Sequence, residues 1–401
     1  MPRQSGWSMG TTCYTATMNA DRKAYRSAVL TLIGSIVGVG IFGVPYAFSK
    51  AGSLPSIFYL VVLAGVQLLQ HLYYAEAAIA CPEPLRLVGL VERYLGRHFK
   101  KVAATAIILG FWGALLAYMI VGGTFLHSLL SPYLGGIPLM YQMIWAVLGA
   151  SVVYFGLAFV TRINVVVTAG MLMTMFAILL MGAPHVRLSN YLPLVSGHDL
   201  LLPYGILLFS LSGLPAILEM EDILKGRHEH YRKAVIVGTL SAATLIAAFS
   251  FTVLGVTGSA TTTEAVRGLQ SVLGPAIAVA GAIAGLLAVT AAFFASAINL
   301  QSTFRYDYKL SRFWSWSLTV LPPFTLLLLG MKDFVTVISF TGAVFSGTSA
   351  IMVALLYVAV TKKHKVTEKP LGVPVWVAYV SIVLLAIGAL LTLARLVGKL
   401  I

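Results

Sequence analysis

Charged residues make up only 10% of this 401-residue chain, against 59% hydrophobic residues, whereas soluble domains use roughly 25% charged residues. So low a charge density excludes a soluble globular enzyme. Cysteine is nearly missing as well. Cys13 and Cys81 are too few for a disulfide framework and match no metal-ligand spacing. Acidic residues are outnumbered, 13 against 27 basic, which leaves a net charge of +14. A nucleic-acid binder would gather that charge on a water-facing surface; here the Lys and Arg punctuate the gaps between apolar runs, so nucleic acid is excluded as a partner. Residues 1–27 hold no continuous apolar core and no cleavage signature, so they do not form a secretory signal peptide. They read as a cytoplasmic N-terminal tail.

What is present in quantity is long charge-free sequence. Asp, Glu, Lys and Arg are absent from ten runs: 28–49, 52–75, 102–161, 163–186, 200–218, 234–263, 268–304, 313–331, 334–361 and 370–394. A bilayer core of about 30 Å takes about 20 apolar residues as helix. The third run is long enough to cross twice and is interrupted by Pro132, Gly135, Gly136 and Pro138, which raises the count to eleven spans. A membrane β-barrel would show period-two alternation, and these runs are apolar nearly throughout. The expected fold is therefore an all-α integral membrane protein of eleven transmembrane helices. With the N-terminus inside, 21 of the 27 Lys and Arg fall in cytoplasmic segments, as the positive-inside rule requires. The C-terminus then lies outside.

Two spans carry clusters of helix-breaking residues. In the first, Gly34, Gly38, Gly40, Gly43 and Pro45 fall within twelve residues; in the sixth, Ser212, Gly213 and Pro215 follow Phe209 and Ser210. Breaks at matching places in two halves of a transporter point to its binding site. Spans 1 and 6 open two consecutive blocks of five, residues 28–183 and 203–358, and a block of five inverts when repeated. The expected organisation is a 1–27 tail, a first repeat, an outer loop at 184–202, a second repeat, and residues 359–401 as a cytoplasmic loop and eleventh helix. Backbone unwound at mid-membrane must line a cavity or be buried in protein. The freed amides of Gly38, Val39, Gly40 and Ile41 suit a carboxylate, and freed carbonyls at Ser35, Ile36, Phe209 and Ser212 suit an ammonium. A zwitterion fits both. Close packing through Gly34 and Gly38, a small-x-x-x-small pair, is the competing reading of span 1.

The segment Leu32-Ile-Gly-Ser-Ile-Val-Gly-Val-Gly-Ile-Phe-Gly-Val-Pro-Tyr46 resembles the amino acid/auxin permeases and the tyrosine- and tryptophan-specific permeases of the amino acid–polyamine–organocation superfamily. Weaker agreement continues at Ala117-Tyr118, from Phe209 to Pro215 and from Leu287 to Asp307. The resemblance implies the five-plus-five inverted repeat of the bacterial leucine transporter with one extra helix. It also implies symport of amino acids by alternating access, with neutral or aromatic L-amino acids as substrates. By the same resemblance, Gly38 to Ile41 bind the carboxylate, Ser35, Phe209 and Ser212 receive the ammonium, and Gly213 allows close approach. Tyr118 reaches the substrate carboxylate or closes over it, and Phe111, Leu115, Leu214, Phe293 and Phe294 are candidates for the side-chain pocket. An Arg before span 1, Arg22 or Arg26, pairs with Asp307 as a cytoplasmic gate.

The partners implied are an amino acid, a coupling cation and the lipid bilayer, with no cofactor or metal. Sodium-coupled members of the fold hold the ion with adjacent hydroxyls on span 8, where this sequence has Thr290 followed by Ala291. One hydroxyl is poor provision for a hard cation that prefers several oxygen ligands, so proton coupling is favoured. Acidic groups inside membrane helices are functional candidates by default, here Glu219 and Glu76. His71 titrates in a useful range but reads as a packing residue. Residues 82–101 alternate apolar and basic faces, as an interfacial helix does, and 184–199 reads as a connector. Sodium symport or exchange remains an alternative reading, and an ion channel or ion-only carrier is the rival from another class.

Overall fold

In the computed structural model the described residues, 8–81, 83, 85–155, 157–196, 199–224, 228–363 and 373–398, form helices joined by short connections, with no strand among them. The helices are α1 (Ser8–Ile36), α2 (Gly40–Ala51), α3 (Ser53–Ile79), α4 (Leu87–Leu95), α5 (Arg97–Leu134), α6 (Pro138–Phe155), α7 (Leu157–Gly182) and α8 (Leu202–Ser210). They continue with α9 (Leu214–Leu224), α10 (His228–Thr257), α11 (Val266–Leu273), α12 (Pro275–Ser302), α13 (Arg312–Leu328), α14 (Phe334–Phe340), α15 (Gly347–Lys363) and α16 (Val375–Gly398). π-Helical segments at Thr303–Asp307 and Thr341–Ser346 follow α12 and α14. Among the described residues, seven helical stretches are long and apolar enough to cross a bilayer, and α1 with α2 makes an eighth as a pair bent by 54°.

Local chemistry explains where the chain turns. Gly52 (φ 91°) separates α2 from α3 and Gly96 (φ 93°) separates α4 from α5, backbone angles that only glycine adopts without strain. Asp333 caps α14, its carboxylate accepting from the Val335 amide. Within residues 1–27, which read from the sequence as a tail, α1 is helical from Ser8 onward. That stretch lacks proline and has Gly10 as its one glycine, so nothing in it interrupts a helix.

α4 has the amphipathic character expected between spans 2 and 3. Leu87, Val88, Leu90 and Val91 are buried against α5 and α15, while Glu92 pairs with Lys100 at 2.6 Å. The loop between α7 and α8 is tied down by backbone hydrogen bonds. The Leu54 amide donates to the Leu194 carbonyl at 2.9 Å, Ser196 N–H to Ala51 O at 2.9 Å and Arg187 N–H to Gly255 O at 2.9 Å. At the centre of the fold, α1 packs on α9 and α10, and α2 on α8 and α10. The two interrupted helices are thereby held side by side.

Candidate functional site

Both glycine-rich clusters coincide with interruptions. Between α1 and α2, residues 37–39 leave the helix; Gly38 N–H turns back to Ile36 O at 2.8 Å, and Phe42 N–H reaches Val39 O at 3.1 Å. Between α8 and α9, residues 211–213 do the same, with Ser212 N–H only 3.4 Å from Phe209 O. The two breaks lie against each other. A Cβ on Gly40 would stand 2.5 Å from Ser210 Oγ, and one on Gly213 would stand 2.6 Å from Ile36 Cγ1. Glycine is what allows each half-helix to approach the other chain segment so closely.

A cavity of about 650 Å³ begins at these breaks. Ser35, Gly38, Val39, Gly40, Phe209, Ser212 and Leu214 line it, with Phe111 and Tyr118 from α5. α12 contributes a stripe of small and polar residues, Ala292, Ala295, Ser296 and Asn299. The π-helical segment adds Thr341, Phe345 and Ser346. Access is one-sided. Toward the chain's N-terminal side the lining residues Ser27, Leu30, Ser35 and Glu219 are exposed, whereas beyond the breaks Ile41 to Pro45 and Leu202 to Leu208 are all buried. Tyr118 is 8% exposed, and its ring lies 6.3 Å from that of Phe209. Arg86 donates to Asn299 Oδ1 at 3.3 Å near the cavity's open end, close enough to Glu219 to act on its carboxylate electrostatically.

Other residues singled out in the sequence stand behind this lining. Ile41 faces a small apolar recess with Phe42, Met171 and Phe249. Leu115 and Phe293 are fully buried, and Phe293 packs beside Gly149 of α6 rather than into the cavity. Phe294, 6% exposed, lies edge-on to Phe293. Gly213 serves by proximity to Leu32 and Ile36. Thr290 donates its hydroxyl proton to Leu286 O at 2.6 Å, within its own helix. Glu76 is 7% exposed, outside the cavity lining, and its Oε2 has no hydrogen-bond partner among the described residues. Arg22 and Arg26 are exposed on α1, and the Asp307 side chain lies outside the described residues.

From the sequence alone, His71 reads as a packing residue. It is completely buried, yet both ring nitrogens are engaged. Nε2 accepts from the Gly213 amide at 3.0 Å, and Nδ1 lies 2.9 Å from Thr239 Oγ1. One turn earlier, Gln67 donates to Leu208 O at 3.1 Å. The signal available in the sequence was a cluster of three polar residues, Gln67, Gln70 and His71, inside an otherwise apolar span.

The tryptophan/tyrosine permease family matches residues 22–394, nearly the whole chain. The protein belongs to that family. Its relatives are transporters, not enzymes. Tyrosine-specific transport system 1 of Haemophilus influenzae is 22% identical over 391 residues, covering 91% of this chain and 94% of its own. Vacuolar amino acid transporter 6 of Saccharomyces cerevisiae is 32% identical over 107 residues, 26% of this chain and 24% of that protein. Among solved structures, MhsT in complex with L-phenylalanine superposes with a TM-score of 0.58 at 17% identity, over 90% of this chain and 98% of its own. Mhp1, a nucleobase-cation-symport-1 family transporter in a closed conformation with bromovinylhydantoin bound, gives 0.58 at 14% identity, over 92% of each. At these identities the likeness speaks to the fold alone.

Proposed function

We propose that this protein is a proton-coupled symporter of neutral or aromatic L-amino acids in the cytoplasmic membrane. Its eleven spans form two inverted repeats plus one helix, with the N-terminus in the cytoplasm and the C-terminus outside. The observation that carries the reading is the one-sided cavity ending on two interrupted helices. The first amides of an α-helix have no intrahelical acceptor, so the stretch from Gly38 to Ile41 at the start of α2 offers a positive dipole end to a carboxylate, with Val39 and Gly40 as its donors, since the Gly38 and Ile41 amides are bonded to Ile36 O and Gly38 O. The ends of α1 and α8 offer carbonyls at Ser35, Phe209 and Ser212 to the ammonium. Tyr118, Phe111 and Phe209 provide aromatic surface beside them.

Glu219 stands in the cavity mouth where an entering or leaving proton passes, and Glu76 is the second carboxyl at membrane depth. Thr290 is followed by Ala291, and a single hydroxyl is poor provision for a sodium shell of several oxygen ligands, which supports the proton over sodium. Uptake of radiolabelled L-amino acids into proteoliposomes tests this reading. Concentrative uptake is expected with an imposed pH gradient alone, and Glu219→Gln is expected to abolish accumulation while leaving exchange of labelled for unlabelled substrate. A strict requirement for sodium refutes proton coupling, and failure of every amino acid under pH and sodium gradients refutes the substrate class.

A further inference from the structure

An interrupted helix leaves backbone groups that the continuous helix would have paired. In an unbroken sixth span the Gly213 amide would donate to Phe209 O, and Leu208 O would accept from the Ser212 amide. Neither bond forms. Ser212 N–H turns instead to Phe209 O, so a buried donor and a buried acceptor are left over on opposite sides of the break. Buried backbone groups without partners are costly in any apolar setting.

Both are met from one face of α3. Gln67 Nε2 donates to Leu208 O at 3.1 Å, and His71 Nε2 accepts from Gly213 N–H at 3.0 Å. The two residues are four positions apart, hence adjacent on the helix surface, and are 2% and 0% exposed. Because Nε2 accepts, the neutral ring carries its proton on Nδ1, which donates to Thr239 Oγ1 of α10 at 2.9 Å. The imidazole is thereby fixed by a third helix.

We propose that Gln67 and His71 are positioning residues for transport, a side-chain clamp from α3 that holds the two halves of the sixth span apart. The clamp sets where Phe209, Ser212 and Leu214 stand in the cavity wall. It touches no substrate; it determines the shape of the surface that does. This inference rests on the transport reading above.

Its test uses the full-length protein in proteoliposomes together with backbone hydrogen–deuterium exchange in detergent. His71→Leu removes the acceptor, and Gln67→Leu the donor. Each is expected to raise the substrate KM at least about tenfold with a smaller change in maximal rate, and to speed exchange in the peptide containing Gly213. His71→Gln places an amide oxygen where Nε2 stands, and is expected to recover most of the lost affinity and protection. The double Leu variant is expected to be little worse than either single one, because both act on the same break. Unchanged KM and unchanged exchange in His71→Leu would overturn the clamp, as would a His71→Gln variant that folds normally yet fails as His71→Leu does. Exchange at Gly213 reads the clamp without reference to transport, and the wild-type uptake control reads the transport assignment separately.

Discussion

Gly38 and Gly40 sit two residues apart in one break and respond differently to a methyl group. A Cβ at Gly40 meets Ser210 Oγ at 2.5 Å and Ser210 Cα at 2.8 Å, backbone that cannot swing away. A Cβ at Gly38 finds only Ala292 Cβ at 3.7 Å, an ordinary contact. Gly40→Ala is therefore expected to force α2 off α8, at the roughly 1–3 kcal/mol typical of overpacking, or about tenfold and more in substrate affinity. Gly38→Ala should keep wild-type thermal stability and raise KM by intruding on the cavity. Gly65→Ala, with no atom within 4 Å of the added carbon, is the silent control. Binding and melting curves on the three variants check this; a Gly40→Ala protein that binds normally would show that the two breaks are not in contact. At this scale the sequence displayed the breaks, because glycine and proline act locally. It did not display their partners. His71 and Gly213 are 142 positions apart, and no spacing rule joins them. Nor could aromatic content say which face of α12 meets the cavity: the lining is the small and polar stripe through Ala292, Ala295, Ser296 and Asn299, while Phe293 points elsewhere.

Charge-free runs located the helical segments because the cost of burying charge in lipid acts on every residue of a span. They could not reveal how two spans cross. α8 meets the π-helical segment Thr341–Ser346 glycine to glycine: a Cβ on Gly205 would run into Ser339 O, and one on Gly342 into Gly205 O. Close approach through small residues is the usual means of helix association in membranes. π-Bulges tend to occur at functional sites, and this one carries Thr341, Phe345 and Ser346 into the cavity. Gly205→Ala and Gly342→Ala are each expected to lower stability by about 1–3 kcal/mol. The double variant should cost less than the sum, since one separation of the helices relieves both clashes. Thermal unfolding in detergent measures it. Strict additivity would mean that the two glycines serve separate contacts.

Which end of the molecule is open is a property of one state, and a single sequence encodes both states of an alternating-access cycle. The distribution of Lys and Arg predicts an orientation; it is silent on the cavity. The structure supplies the asymmetry: Leu30, 58% exposed, lines the cavity below the breaks, whereas Ala47 above them is fully buried. On a background with Cys13 and Cys81 replaced by Ser, a membrane-impermeant maleimide should label Leu30→Cys from the cytoplasmic side and spare Ala47→Cys from either side. Adding substrate with a proton gradient should shift the population, slowing modification at Leu30→Cys and exposing Ala47→Cys to reagent outside by several-fold, because a ligand moves such an equilibrium only through its different affinity for the two states. Labelling of Leu30→Cys from the outer face alone would reverse the orientation drawn from the basic loops. Simultaneous labelling of both positions from both sides without substrate would mean a continuous pore, and a carrier with one cavity open at a time would no longer describe the molecule.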